Sequence, residues 1–150
     1  MPTRRAVMAP SETAKQRLRE ADGGSLDAQA ALGVYHLRGE EGLEQDAVKA
    51  ALLFRFCAER GHLNAQTALY LCYHEGTGVE KNYTLAALWL RRAADQGNAR
   101  AQFGVGRMYA SGGEGEGEGV KKNLPLAMTY LELSAAQGEQ EAIALLQQLR

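Results

Sequence analysis

The stretch GHLNAQTALYLCYHEGTGVEKNYTLAALWLRRAADQGN, residues 61–98, carries a pattern that recurs along the chain. Its simplest mark is a glycine followed four residues later by an alanine. Such pairs return at similar intervals, at Gly24/Ala28, Gly61/Ala65, Gly97/Ala101 and Gly138/Ala142. The last interval is longer because the run GEGEGEG, residues 113–119, is inserted into the third unit. Self-similarity at such a spacing indicates a repeat protein in which each unit is one supersecondary element.

The alanine of each pair lies in the first turn of the first predicted helix of its unit and is taken as position zero. In the second unit, apolar residues stand at positions zero, four, seven and eight from it, namely Ala65, Leu69, Cys72 and Tyr73. This spacing places them on one face of a helix with 3.6 residues per turn. Gly76 then supplies the left-handed conformation that ends a helix at little steric cost.

Each loop leads into a second predicted helix that ends at the next glycine of the pattern. A large residue stands eight positions before that glycine, at Leu53, Trp89 and Tyr130, and small residues lie near the helix end. Small side chains let paired helices approach closely, so we expect Trp89 to be buried between its own repeat and a neighbour. Pro125 lies in the first turn of its helix, where proline is tolerated. The predicted helices span 11–22, 26–38, 47–60, 63–75, 83–96, 99–111, 125–137 and 139–149.

Many positions of the second unit agree in order with one family pattern. They are Ala65, Gln66, Leu69, Tyr73, Gly76–Val79, Ala86, Trp89, Ala93, Ala94 and Gly97–Ala99. This combination resembles a Sel1-like repeat, a relative of the tetratricopeptide repeat. The resemblance implies an all-α fold, an α-solenoid of stacked antiparallel helix pairs with about three repeats plus terminal capping helices. It also implies an adaptor that assembles protein complexes.

The units depart from the family pattern in three places. The family usually has glycine at the fifth position, as at Gly33 and Gly106. The second unit has Tyr70 there, so the tight contact between helices that glycine allows is not expected in that unit. His36 stands where the other units have tyrosine. We interpret the acidic run 113–119 as mobile and solvated, without a role in the core.

The repeats divide the chain into an arm and one repeat domain. We predict that residues 1–24 form an N-terminal arm and capping helix, and that 25–150 form the repeat domain. A lone final helix is how solenoids commonly close. The predicted repeats are about 25–61, 62–97 and 98–138, followed by a C-terminal capping helix over 139–150.

Composition excludes several classes of function. A net charge of −1 gives no long-range attraction for phosphates, so we predict no nucleic-acid partner. No apolar run approaches the roughly 20 residues that span a bilayer, so we predict no membrane segment. The apolar stretch 6–9 is too short for a signal peptide, which favours a cytoplasmic location. Basic residues exceed acidic ones over 1–20, which leaves a mitochondrial presequence open.

No constellation of catalytic residues stands out. The sequence has no G-x-S-x-G, S-x-x-K, H-E-x-x-H or G-x-x-x-x-G-K motif, so we predict no enzyme, no cofactor and no metal. His36 and His74 with Glu75 make a weak candidate for a metal site, against ordinary polar histidines. Cys57 and Cys72 are interpreted as buried thiols, although a disulfide stays open because sequence gives no Cα distance.

The predicted function is a non-catalytic adaptor that binds a protein or peptide, whose identity the sequence does not give. The alternatives are a hydrolase or metal-dependent enzyme related to secreted cysteine-rich Sel1-like proteins, and a structural fragment of a longer repeat array or a self-associating chain. Charged residues of the second helices, Lys49, Arg55, Arg91 and Arg92, are interpreted as a solvated outer face.

A candidate binding surface lies on the first helices, opposite their core stripe, at positions two, six and nine of each repeat. Two interpretations stay open, because neighbouring helices and caps can bury these side chains, or the strip can receive a peptide or helix. In the second case Phe103 is the anchor and Arg107 pairs with an acidic group. The candidate residues are Val34, Leu37, Leu71, His74, Phe103 and Arg107.

Overall fold

The computed structural model describes residues 9–112 and 120–150, and within these ranges it contains eight helices and no strand. Each predicted helix is present, with ends that agree to within one residue, so the predicted all-α fold is confirmed. The helices are α1 (Glu12–Asp22), α2 (Leu26–Arg38), α3 (Ala47–Glu59), α4 (Leu63–Glu75), α5 (Tyr83–Asp95), α6 (Ala99–Ser111), α7 (Leu124–Ala136) and α8 (Gln140–Leu149).

The helix ends are fixed by local capping. At the six helix starts within the three repeats, a side chain accepts a hydrogen bond from the backbone N–H three residues on, which satisfies one of the unpaired donors of the first turn. These residues are Ser25, His62 and Asn98 before the first helices, and Asp46, Asn82 and Asn123 before the second. The first helices end at glycines with φ of 67°, 73° and 63°, as predicted, at Gly39, Gly76 and Gly112.

Each helix packs against the helix before it and the helix after it. The result is a row of antiparallel pairs, α2 with α3, α4 with α5 and α6 with α7, with α1 packed on α2 at one end and α8 on α7 at the other. Buried side chains form three clusters along this row. Their large members include Phe54 and Leu69 in the first cluster, Leu90 and Val105 in the second, and Leu131 and Leu146 in the third.

Trp89 bridges two repeats. It belongs to α5 but packs into the first cluster, whose other members lie in α2, α3 and α4, and it is 6% exposed. The prediction that it lies between its own repeat and a neighbour is therefore confirmed. In the first repeat the deeply buried large residue is Phe54, 1% exposed, whereas Leu53 is only half-buried. In that repeat the large core residue therefore lies one position later than predicted.

Two helix pairs approach closely at a glycine. A Cβ atom at Gly33 would lie 2.6 Å from Cε1 of Phe54, and one at Gly106 would lie 2.6 Å from Cγ of Leu131. The third pair, α4 with α5, has Tyr70 at the equivalent position, half-buried against the first and second clusters. The second repeat therefore accommodates an aromatic side chain at the position where the other two repeats have glycine.

Parts of the predicted organisation lie outside the described residues. These are residues 1–8 and the acidic run 113–119, whose mobility stays a prediction. The start of α1 is described, and there the Ser11 side chain accepts from the N–H of Ala14, which is fully buried. Across 9–112 and 120–150, no helix is both long and apolar enough to cross a lipid bilayer.

Candidate partner-binding surfaces

The structure buries half of the predicted first-helix strip. Val34 and Leu37 are half-buried and pack against the first cluster, and Phe103 is half-buried against the third. Neighbouring helices therefore cover most of the surface of these three side chains, which agrees with burial of this part of the strip between helices.

The other three members of the strip are more accessible. Leu71 is 49% exposed, and Arg107 is exposed with its guanidinium 5.6 Å from the centre of the Phe103 ring. His74 is half-buried, with its ring centre 5.6 Å from that of Tyr83. The accessible part of the strip therefore consists mainly of Leu71 and Arg107.

A second apolar surface lies on α3. Val48, Leu52 and Phe56 are 59%, 62% and 41% exposed. Their spacing of four residues places them on one helical face, and we call them the α3 outer row. The guanidinium of Arg60 lies 3.4 Å from the centre of the Phe56 ring, at one end of the row.

The α3 outer row was not predicted, because the outer faces of the second helices were interpreted from their charged residues alone. Lys49, Arg55, Arg91 and Arg92 are all exposed, as predicted, but apolar side chains share that surface with them. The regular spacing of the three apolar residues was visible in the sequence. What the sequence does not show is that no neighbouring element of the described chain covers this face.

The row has a counterpart on the next second helix. Leu88 stands in α5 where Leu52 stands in α3, nine residues before the closing glycine, and it is 42% exposed. Leu88 also lines an open pocket of about 510 Å³ formed by α5, the end of α6 and the chain from Val120 to the start of α7. Apolar and cationic side chains share the pocket wall. They include Leu85, Leu88, Val120 and Leu126, together with Arg91, Lys121 and Lys122.

Arg91 is held in place by aromatic residues. Its Nη1 donates a hydrogen bond to the hydroxyl oxygen of Tyr109 at 3.2 Å. The Tyr109 ring stacks on Tyr130 with 6.3 Å between ring centres, and the Tyr130 hydroxyl donates to Oδ1 of Asp95 at 2.7 Å. Burial, with the nearby Asp95 carboxylate, raises the pKa of Tyr130. The Arg91 pKa is raised mainly by Tyr109, so the guanidinium stays charged.

The histidines have structural contacts. His36 Nδ1 lies 3.0 Å from the carbonyl oxygen of Glu44, which ties the first loop to α2. His62 Nδ1 accepts from the N–H of Ala65 and caps α4. In the described ranges no group of three or more His, Cys, Asp or Glu is placed to hold a metal ion, so His36, His74 and the carboxylates do not assemble into one there.

The two cysteines are free thiols. Both Cys57 and Cys72 are buried, and desolvation raises the pKa of each thiol. A reactive cysteine needs a lowered pKa and access to solvent. These two thiols are buried and their pKa values are raised, so neither lies in the environment that a nucleophilic cysteine needs.

Comparison with protein families gives one match in three segments. The Sel1 repeat model matches residues 26–62, 64–98 and 99–139.

Two solved structures share the fold. The Sel1 repeat protein from Oxalobacter formigenes superposes with a TM-score of 0.79 and 38% identity over 89% of this chain and 96% of that one. The protective antigen c5321 of uropathogenic Escherichia coli, which displays an SLR fold, gives a TM-score of 0.76 and 33% identity over 86% of this chain and 26% of that one.

Two curated proteins are also similar. DAP3-binding cell death enhancer 1 of Rattus norvegicus is 37% identical over 82 residues, which is 55% of this chain and 16% of that protein. Chitin synthase regulatory factor 3 of Schizosaccharomyces pombe is 27% identical over 81 residues, which is 54% of this chain and 9% of that protein. The similarity to both is thus confined to a small part of much longer chains.

Proposed function

The chain belongs to the Sel1 repeat family, and from this premise we propose that it is a non-catalytic module that binds a protein partner through the surface of its solenoid. The names of two relatives support this, since one is called a binding protein and the other a regulatory factor. Fold alone does not assign function, so the argument has to rest on a surface of this chain.

The α3 outer row is the observation that carries the proposal. Its three apolar side chains are held by a helix whose opposite face is fixed in the first cluster through Ala50, Phe54 and Cys57. A rigid helix loses little conformational entropy on binding, which favours affinity. Contiguous exposed apolar residues rimmed by polar ones are typical of protein interaction sites.

The charges beside the row indicate the kind of partner. Lys49 is exposed next to Val48, and Arg60 lies over Phe56 at the other end. Between them, Arg55 pairs with Glu59 at 3.0 Å within the same helix. No carboxylate of the described residues forms an ion pair with Lys49 or Arg60, so these two exposed cations border the row. We infer a partner helix with apolar residues at matching spacing and carboxylates at its edges.

The first-helix strip is a second proposed surface. Its accessible members are Leu71 and Arg107, with His74, Phe103, Val34 and Leu37 more deeply set. Because two apolar surfaces lie on different helices, variants of one serve as controls for the other.

Affinity capture of the tagged chain, with quantitative mass spectrometry, compares wild type, Leu52→Glu and Leu71→Glu. Both leucines are exposed, so both variants are expected to fold, which circular dichroism checks. We expect one or more proteins that wild type and Leu71→Glu retain and that Leu52→Glu loses. Loss only in Leu71→Glu would move the binding surface to the first-helix strip. If Leu52→Glu instead turns a dimer into a monomer on gel filtration, the row binds a second copy of the chain.

A further inference from the structure

The pocket beside α5 is lined by both apolar and cationic side chains. The chain carries 17 basic and 18 acidic residues, yet three of the side chains that line this pocket are cations. None of the lining residues in the described chain is aspartate or glutamate. The positive charge of Arg91, Lys121 and Lys122 is therefore local to the pocket.

We propose that this pocket binds an acidic segment of a protein partner, one that presents a carboxylate next to an apolar side chain. The inference rests on the proposed function, which supplies a protein as partner. The carboxylate contacts Arg91 and the two lysines, while the apolar side chain packs against Leu85 and Leu88. Charge complementarity selects the partner, and the apolar wall fixes its register.

Arg91 is suited to this role because it is already positioned. Its Nη1 is bonded to Tyr109, which is itself stacked on the buried Tyr130. Binding therefore immobilises little of the arginine side chain, and the rest of the guanidinium keeps its donors. A planar guanidinium also matches a carboxylate with two parallel hydrogen bonds. Lys121 and Lys122, both exposed, add charge without a fixed geometry.

A nucleic-acid strand fits the pocket less well. Strands are bound by grooves that track the backbone with a series of cations and stacked aromatic side chains. Here the cations stand in one place beside four aliphatic side chains, Leu85, Leu88, Val120 and Leu126. An acidic peptide with one aliphatic residue satisfies both parts of this wall.

The test uses the full chain and two end-capped, fluorescently labelled peptides. One alternates aspartate with leucine, and the other replaces every aspartate by asparagine. Fluorescence anisotropy compares the double variant Lys121→Glu/Lys122→Glu with the charge-matched control Arg38→Glu/Arg100→Glu, whose arginines are exposed and do not line the pocket. The single variant Arg91→Gln tests the positioned guanidinium.

We expect the aspartate peptide to bind wild type and the arginine control alike, and the lysine double variant at least roughly tenfold more weakly, since two close charge pairs are lost. Arg91→Gln and the asparagine peptide should each weaken binding similarly, and added salt should weaken it in wild type. Equal affinity of the two double variants, or of the two peptides, would overturn the proposal. So would binding only after Glu114, Glu116 and Glu118 are changed to Gln, because the chain's own carboxylates would then be the ligand.

Leu52→Glu separates this inference from the proposed function. The variant alters the α3 outer row and leaves every residue of the pocket unchanged. We expect it to bind the aspartate peptide like wild type while it loses the captured protein. If the peptide shows no dependence on the pocket but capture still depends on Leu52, the pocket inference fails and the proposed function stands.

Discussion

The side-chain amide of Gln96 donates a hydrogen bond to Oε1 of Gln66 across 2.8 Å, which joins the end of α5 to the start of α4. Gln66 in turn donates to the carbonyl oxygen of Ala58 at 3.1 Å, and Gln96 also donates to that of Gly61 at 2.9 Å. The next repeat reproduces the amide pair through Gln137 and Gln102 at 2.9 Å. The bonds to Ala58 and Gly61 connect the second repeat to the first and so help to set the register of the stack.

Gln66→Ala should therefore destabilise the chain. Gln66 is 4% exposed, and its loss removes two side-chain hydrogen bonds, one to the Ala58 carbonyl and one from the Gln96 amide, at about 0.5 to 1.5 kcal/mol each. Urea unfolding measures the change, with Gln148→Ala on the exposed side of α8 as control. A double-mutant cycle with Gln96→Ala should show coupling, and strictly additive effects would mean that the amide pair contributes nothing.

Trp89 and Leu88 are adjacent, but their substitution by alanine is predicted to destabilise the chain to very different extents. Trp89→Ala empties a site in the first cluster and should cost on the order of 3 to 5 kcal/mol. Leu88→Ala changes a side chain that is 42% exposed and should cost less than about 1 kcal/mol. Thermal unfolding of both variants compares them directly. Similar melting temperatures for the two would contradict the placement of Trp89 in the core.

His62 is an unusual N-cap. Its Nδ1 accepts from the N–H of Ala65 at 3.1 Å, while Nε2–H donates to Oδ1 of Asp27 at 2.7 Å. His62→Ala removes the cap and should cost about 1 kcal/mol of stability. His62→Asn should recover most of that loss, because Asn98 caps α6 by the same contact. Equal destabilisation by the two substitutions would show that His62 stabilises the folded chain through its contact with Asp27 and not through the cap.

The buried thiols predict a pH dependence of stability. Burial raises the pKa of Cys57 and Cys72 in the native chain, so their thiols ionise at higher pH there than in the unfolded chain. Their contribution to stability is full below the ordinary thiol pKa and is lost as pH rises through the native value. Urea unfolding from pH 7 upward should show a decline that is smaller in Cys57→Ala/Cys72→Ala. An identical decline in both proteins would rule out the thiols as its source.

The sequence predicted the fold to within one residue at each helix end because the signals are local. Capping residues such as Asn98 and the left-handed Gly76 mark helix ends without reference to the rest of the chain. Core positions were predicted less well, since the choice between Leu53 and Phe54 depends on how α3 is rotated against α2.

The candidate surfaces were predicted least well, because exposure depends on which helices lie beside a residue. Phe103 lies opposite the core stripe of its own helix, but residues of α7 and α8 cover part of it. The face of α3 that carries the outer row was interpreted from its charged residues, although apolar side chains are exposed there too. The pocket is built from segments as far apart in sequence as Leu85 and Lys122. A helical pattern gives the direction of a side chain, whereas the packing of other helices determines what remains accessible.

Site-specific photo-crosslinking tests most directly the claim that the α3 outer row binds a protein partner. A photoreactive phenylalanine analogue replaces Leu52 in one variant and Leu71 in another, both at exposed helical positions. Each is irradiated with the captured partner, and the covalent product is measured on a denaturing gel. If the α3 outer row binds the partner, we expect a crosslinked product from position 52 and little or none from position 71. A product only from position 71 would contradict it and place the partner on the first-helix strip.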